Sequence, residues 1–317
     1  MTGQNIRKTA NYMKRNGIRK AVGMAYERLT APYDAGYSYA PPSKKELDGQ
    51  RKAVFGYMPL ISIAVPAYET KVEFLDALID SVAAQTYENW ELILADASES
   101  GHVMECVEKK KKSLPGKLAD KIKYHALSNN EGISGNSNQA ICQAAGEYIA
   151  LLDHDDLLTS DALYEMVKAV NTLLEEENVR PKLLYSDEDK CDEKGENFRE
   201  PNIKSEFNFD FLLSNNYICH FLMMEAELMR KLRFRAAYDG AQDYDLILRA
   251  VADIREEEIV HVEKVVYHWR CHVLSTAGNS GSKRYAYEAG KKAVQDFLEK
   301  KGIRGLVCDT EHVGFYR

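Results

Sequence analysis

Apolar positions along the chain switch between two periods, and the switches predict alternating strands and helices. Residues 60–65 (Leu-Ile-Ser-Ile-Ala-Val) read as a short buried strand. Thr70 and Glu73 have the spacing of a capping box, and Phe74, Leu75, Leu78, Ile79 and Val82 then share one helical face. Residues 91–95 predict a second strand, followed by a helix whose lysines at 109–112 form a solvated face. A third strand is expected at 122–127, a helix striped by Ile133, Ala140, Ile141 and Ala144 comes next, and 148–152 is the fourth strand. Repeated βα units of this size imply an α/β fold with a mainly parallel sheet covered on both faces.

The second half is less regular. Residues 183–190 predict a strand that runs into a charged turn, 217–224 a strongly apolar strand, and 259–269 a long strand or hairpin. Tyr244, Ile247, Leu248 and Val251 lie on one helical face, residues 276–282 have the Gly/Ser/Asn content of a mobile lid, and a closing helix spans about 285–300. Before residue 60, positions 6–29 carry seven Lys or Arg against one Glu with apolar residues at helical spacing. This basic amphipathic helix would suit either an anionic membrane surface or docking on the main domain. Pro41-Pro42 and the polar stretch 43–53 read as a linker. The division expected is an N-terminal extension over 1–57 and one catalytic domain over 58–317, with a nucleotide-binding half at about 58–156 and an acceptor half at about 157–317.

Composition narrows the class. At 317 residues and 45% hydrophobic content the chain can bury a large core. A net charge of −7 with mixed signs argues against nucleic acid as a partner. Six scattered cysteines without a C-x-x-C pair argue against a zinc or disulfide scaffold and for a reducing, cytoplasmic setting. No apolar run approaches the roughly 20 residues needed to span a bilayer.

The chemistry concentrates where the fourth strand ends. Asp153, Asp155 and Asp156 crowd one strand terminus, a costly arrangement unless a cation neutralises it. Oxygen ligands on a short loop suit Mg²⁺ or Mn²⁺, ions that commonly grip phosphates; a helix cap at Asp156 or Thr159 is the plain alternative. Asp96 ends the second strand, so two acidic strand ends share the edge where open α/β sheets bind ligands.

The order of motifs resembles the family 2 glycosyltransferases with a GT-A fold. Ile61-Ser-Ile-Ala-Val-Pro-Ala-Tyr68, Gln85-Thr-Tyr-Glu-Asn-Trp-Glu-Leu92, Asn130-Glu-Gly-Ile-Ser-Gly-Asn-Ser-Asn138, Ala145-Gly-Glu-Tyr148 and Leu152-Asp-His-Asp-Asp156 carry it through the first half. Tyr185-Ser-Asp-Glu-Asp-Lys190, Gly240-Ala-Gln-Asp-Tyr-Asp-Leu246 and Tyr267-His-Trp-Arg270 are similar to a bacterial subgroup that builds cell-surface polysaccharides, O-antigens and rhamnose-rich polymers among them. Two departures stand out: one acidic residue, Asp96, follows the second strand instead of two, and the usual Glu-Asp pair is Gln242-Asp243.

The resemblance implies an inverting transfer of a sugar from a UDP- or dTDP-sugar to a hydroxyl of a growing glycan, free or lipid-linked, in the cytoplasm or peripherally at the inner face of the cell membrane. Asp153 and Asp155 would hold the ion, with Asp156 and His268 supporting or joining them. Pro66, Ala67, Tyr68 and Glu69 would form the first loop against the base; Asp96 would accept from the base. Asn130, Gly132, Gly135, Asn138 and His154 would approach the nucleotide, and Arg270 would clamp the diphosphate. Asp243 would be the general base, held at low pKa by its helix, with Asp245 second choice. Asp187, Glu188, Asp189, His220, Gln242 and Trp269 are acceptor-side candidates, His272 could shape the pocket, and Lys283 and Arg284 could reach the phosphates. A sugar-1-phosphate nucleotidyltransferase and a catalytically silent glycan-binding module stay open as other readings.

Overall fold

The computed structural model describes residues 36–272, 283–312 and 314–317, with the side chains of Lys283 and Arg284 left aside. The basic segment 6–29 and the expected lid at 276–282 therefore lie outside the described residues.

After α1 (Lys44–Gln50) the chain alternates as its periodicity predicts: β1 (Ile61–Ala67), α2 (Val72–Ala83), β2 (Trp90–Asp96), α3 (His102–Ser113), β3 (Ile122–Ala126), α4 (Gly132–Gln143) and β4 (Tyr148–Leu151). A two-residue β5 (Leu157–Leu158) leads into α5 (Ala162–Glu177), then β6 (Leu183–Cys191) and β7 (Arg199–Asn202). The remainder is α6 (Phe209–Ser214), β8 (Leu222–Glu225), α7 (Ala226–Leu232), α8 (Gln242–Asp253), β9 (Ile259–Arg270) and α9 (Lys283–Lys300).

One nine-stranded sheet runs in the order β3-β2-β1-β4-β8-β6-β9-β5, with β7 attached to β6. The first four strands are mutually parallel, as expected. The sheet as a whole is mixed: β8 lies antiparallel to both β4 and β6, and β5 and β7 are antiparallel at the margin. Two reversals across β8 return β6 to the direction of β4, and β9 runs parallel to β6. The carboxyl ends of β1, β2, β4, β6 and β9 thus share one edge, which is where the site forms.

The central strands are buried on both faces. Ile61, Ile63 and Val65 pack with α2 and α5 on one face; Ala64, Ile93 and Ile149 pack with α4 and α8 on the other. Each such aliphatic side chain contributes roughly 1.5–3 kcal/mol by leaving water. Gly146 is set by contact: a Cβ there would lie 2.6 Å from the Leu60 carbonyl and 2.7 Å from Ser62 Oγ. Its neighbour Glu147 accepts from the Leu60 amide at 2.7 Å, so the Ala-Gly-Glu-Tyr motif locks β4 to β1.

Several local expectations change. The N-cap of α2 is Lys71 without a side-chain cap, and Thr70 Oγ1 instead meets His154 Nδ1 at 3.0 Å. Residues 217–221 are irregular, with the strand confined to β8. The charged stretch 187–189 lies inside β6 and is buried, not in a turn. Residues ahead of position 58 also pack against the main body. Tyr37 OH donates to Asp189 at 2.6 Å, Tyr39 packs edge-on against His268 at 4.6 Å, and Phe55 contacts Tyr164 at 5.3 Å.

Candidate active site

Register places the two acidic strand ends on either side of β1. Ala67 at the end of β1 pairs with Asp96, and Ala64 pairs with Leu151, two residues before Asp153. Asp153 closes its turn by accepting from the Asp156 amide at 3.1 Å, and its side chain stays 51% exposed. His220 Nε2 stands 3.7 Å from its carboxylate. Asp155 Oδ2 is met by His272 Nε2 at 2.7 Å.

The electrostatics point to unbalanced negative charge. The Asp153 carboxylate is half exposed, yet the surrounding protein still desolvates it. Its pKa is raised by that desolvation and then by Asp155, with His220 acting against the shift. Asp243, in the first turn of α8, has its carboxyl pushed up to about 6 by desolvation, with Asp153 adding to the effect. The expectation of a low pKa from the helix terminus is thereby overturned: lost hydration outweighs the dipole. Gly240 permits the approach to this helix, since at φ +93 a Cβ would lie 2.3 Å from the Tyr285 ring. Gln242 Oε1 accepts from the Gly240 amide at 2.8 Å, and its Nε2 donates to Asp243 at 3.1 Å, so Gln242 orients the carboxylate.

Three predicted ligands turn out to be braces. Asp156 is fully buried; it accepts from Tyr267 OH at 2.5 Å and from the Arg270 amide at 2.7 Å, so both oxygens are engaged within the protein. Arg270 is 1% exposed, donates to the Asp155 and Glu193 carbonyls at 2.5 and 2.9 Å, and lies over Phe74 at 4.7 Å. It supports the acidic loop through Nε and Nη1, while Nη2 is buried without a hydrogen-bond partner. His268 is 4% exposed, has Nδ1 2.5 Å from Asp189, and is packed against Tyr39 and Phe198. Strand alternation explains the error: Tyr267 and Trp269 contact His220 on the Asp153 side, so His268 between them faces the opposite side.

On the nucleotide side, Pro66 and Ala67 are the last residues of β1, not loop, and both are buried. Tyr68 is 43% exposed beside them. Glu69, at φ +46, receives the Glu99 and Ser100 amides at 2.9 and 3.0 Å and Ser100 Oγ at 2.6 Å, which lowers its pKa. It is a clasp for the loop after β2. Asp96 accepts from Ser98 and, at 2.7 Å, from Tyr124 OH, and is 3% exposed. Asn130 accepts from the Gly132 amide at 3.0 Å and Asn136 Nδ2 at 2.9 Å, shaping the turn into α4. Gly132 at φ +75 faces Asp239, which also accepts from Ser134 Oγ. Asn138 is not at the edge at all: its amide exchanges hydrogen bonds of 2.8 and 2.9 Å with the Phe234 backbone. Asp245 is committed to Arg235 and Arg249, which removes it as a base.

The β6 carboxylates are all partnered. Asp187 accepts from His261 Nε2 at 2.8 Å and from the Lys204 amide at 2.9 Å. Glu188 accepts from the His220 amide at 2.7 Å and Asn202 Nδ2 at 3.1 Å, with the His220 ring at 3.0 Å and Lys204 Nζ at 3.9 Å. Desolvation opposes its ionisation, but His220 and Lys204 prevail and hold its pKa at about 2. Burial likewise disfavours a charged His220, yet Cys219 and Glu188 carry its pKa well above the ordinary value. Trp269 lies 5.5 Å from the His220 ring and 5.7 Å from Lys190 Nζ.

Two contributions escaped the sequence reading. Lys204 is a lone lysine in an irregular stretch, with no pattern to mark it. His272 carried a signal, four residues beyond His268 and past the strand end, but was placed only as a pocket wall.

The geometry is that of an α/β domain with an acidic focus at its sheet edge. A family model for glycosyl transferase family 2 matches residues 62–233, over half of the chain. The chain belongs to that family, and its architecture is the GT-A fold. It is 38% identical over 244 residues to the uncharacterized protein y4gI of Sinorhizobium fredii, covering 76% of this chain and 26% of that protein. To the O-antigen biosynthesis protein RfbC of Myxococcus xanthus it is 27% identical, covering 86% of this chain and 20% of the relative. The chain thus spans about a fifth to a quarter of the length of these relatives. Among solved structures, Staphylococcus aureus TarS 1-349 in complex with UDP-GlcNAc superposes with a TM-score of 0.53 at 18% identity, covering 76% of this chain and 72% of that one. The mannosyltransferase PcManGT of Pyrobaculum calidifontis in complex with GDP-Man and Mn²⁺ gives 0.52 at 15% identity, covering 82% and 71%.

Proposed function

We propose that this chain transfers a sugar, with inversion, from a UDP- or dTDP-sugar to a hydroxyl of a growing surface glycan. The observation that carries the reading is the grouping of Asp153, Asp155 and Asp243 at one sheet edge, with Asp155 making Asp153 harder to ionise and Asp153 doing the same to Asp243. An uncompensated acidic focus fits a divalent cation, Mn²⁺ or Mg²⁺, held by Asp153 and Asp155. Among the described residues these carboxylates do not close into a set of three donors, which suits an ion completed by substrate phosphates. Such an ion, when bound, supplies charge neutralisation for the departing diphosphate.

The protein's own residues do the rest. Tyr68 offers an exposed ring for the base, and Asp96 an acceptor already oriented by Ser98 and Tyr124. His272 fixes the rotamer of Asp155, and His220, held by Glu188, partly offsets Asp153. Asp243 accepts the proton of the incoming hydroxyl as it attacks; a base near pH 6 is well matched to that task at neutral pH. Relatives named for O-antigen, colanic acid and teichuronic acid biosynthesis support a surface polysaccharide as product. A Campylobacter jejuni relative whose name specifies a PP-undecaprenol substrate supports a lipid-linked acceptor. The basic stretch 6–29 would suit work beside an anionic cytoplasmic membrane surface, and among the described residues no helix is long and apolar enough to cross a membrane.

The test is thermal unfolding with UDP, dTDP and GDP, each with and without Mn²⁺. Stabilisation by UDP or dTDP that requires Mn²⁺ and disappears in Asp153→Asn supports the assignment; indifference to all three nucleotides overturns it.

A further inference from the structure

Outside the site above, one cluster carries a buried polar atom with nothing to bond. Glu206, His261 and Glu263 place one imidazole nitrogen and two carboxylate oxygens within 4.8 Å of one another. Among the described residues this is the one set of three metal-ligating side chains that draws so close. His261 Nδ1 is buried and lacks a hydrogen-bond partner, while the ring as a whole is only 2% exposed. The nearest carboxylate oxygen, Glu206 Oε1, stands 3.8 Å from it, beyond hydrogen-bond range.

The ring is prepared from behind. Asp187 Oδ1 lies 2.8 Å from Nε2, and a carboxylate only accepts, so the ring proton sits on Nε2 and a lone pair is available at Nδ1. This is the carboxylate–histidine relay that orients metal-bound imidazoles. Tyr185 stacks on the ring at 4.9 Å with planes 14° apart, which fixes its orientation. The loop bearing Glu206 is tied down on both sides: Tyr185 OH donates to the Ser205 carbonyl at 2.8 Å, and the Lys204 amide donates to Asp187 at 2.9 Å. Glu263 stands two residues from His261 on β9, where the register against β6 shifts, and its carboxylate comes within 4.8 Å of the other two donors. Both glutamates are exposed, so they can swing from the present spread to the donor separation of about 3.3 Å that a tetrahedral shell requires.

We propose that Glu206, His261 and Glu263 form a second divalent-metal site, selective for a zinc-class cation and distinct from the hard-ion pair Asp153 and Asp155. One imidazole with two carboxylates is a borderline donor set that favours Zn²⁺ over Mg²⁺. A cation there joins β9 to the loop that presents Lys204 to Glu188, so its role is to hold the architecture behind His220 without touching substrate.

The experiment titrates the full, chelator-treated chain with Zn²⁺ in millimolar Mg²⁺, read by competition with a chromophoric chelator. One equivalent should bind in the wild type and in Asp153→Asn, and affinity should fall at least tenfold in the double variant Glu206→Gln/Glu263→Gln. Both substitutions are at exposed positions, and circular dichroism checks that the variant is folded. Zinc should also raise the unfolding temperature of the wild type and not of the double variant. Absence of zinc binding overturns the proposal, as does zinc affinity unchanged in the double variant or lost in Asp153→Asn.

Discussion

Two groups of carboxylates lie toward one sheet edge, one within β6 and one around the end of β4 with β8 between them, yet the protein treats them in opposite ways. Asp187, Glu188 and Asp189 in β6 are each matched by a histidine, and the group further draws on Lys204, Asn202 and Tyr37. Asp153 after β4 and Asp243 near it have elevated pKa values, because desolvation, with Asp155 acting on Asp153 and Asp153 on Asp243, exceeds what His220 returns. Residue type does not distinguish the groups; the inventory of partners does. Carboxylates satisfied within the protein hold the scaffold, and those left in deficit wait for something from outside.

The comparison can be broken most sharply at its unbalanced end. Asp243→Asn removes the proposed base and should lower kcat by about 10²–10⁴-fold, while metal-dependent stabilisation by the nucleotide persists. At the balanced end, Glu188→Gln strands the Lys204 ammonium in the interior and should cost about 3–5 kcal/mol in denaturant unfolding. Adding Lys204→Met to that variant should recover part of the loss, because the orphaned charge is then gone.

The two groups also predict opposite responses to acid. Asp243 works only when ionised, so the turnover rate should fall about tenfold per unit as pH drops below about 6. Glu188 has its folded pKa depressed to about 2, so its stabilising effect is complete above its ordinary value and is lost as pH falls toward 2. Activity should therefore fail at a pH where unfolding curves still show a stable fold. The smallest effect expected is at the rim: Tyr68→Ala should weaken nucleotide binding by about 1–3 kcal/mol, measured by calorimetry, with little change in stability.

Much of the architecture was legible in the sequence because periodicity reports burial directly. The strands β1, β2 and β4, the helices between them and the long β9 follow from runs of apolar residues. Asp153 and Asp243 were also legible, since each sits at a strand or helix terminus where a side chain is forced toward the edge. What failed depended on which partner arrives in three dimensions. Asp187 to Asp189 read as a turn because three acids inside a strand look prohibitive until His261, His220 and His268 are in place. Asn138 and Arg270 have the chemistry of ligands, but backbone carbonyls and amides claim them first. His268 lies within β9 and is turned away from the acidic loop, whereas His272 lies past the strand's end at Arg270, where the chain has left the pleat and its ring reaches Asp155.

The tyrosines at 37 and 39 give the stretch ahead of the sheet an unexpected weight. Their rings form the outer wall over the Asp189–His268 pair, so a shortened chain starting at residue 58 would open that pair to water and loosen the tips of β6 and β9 together.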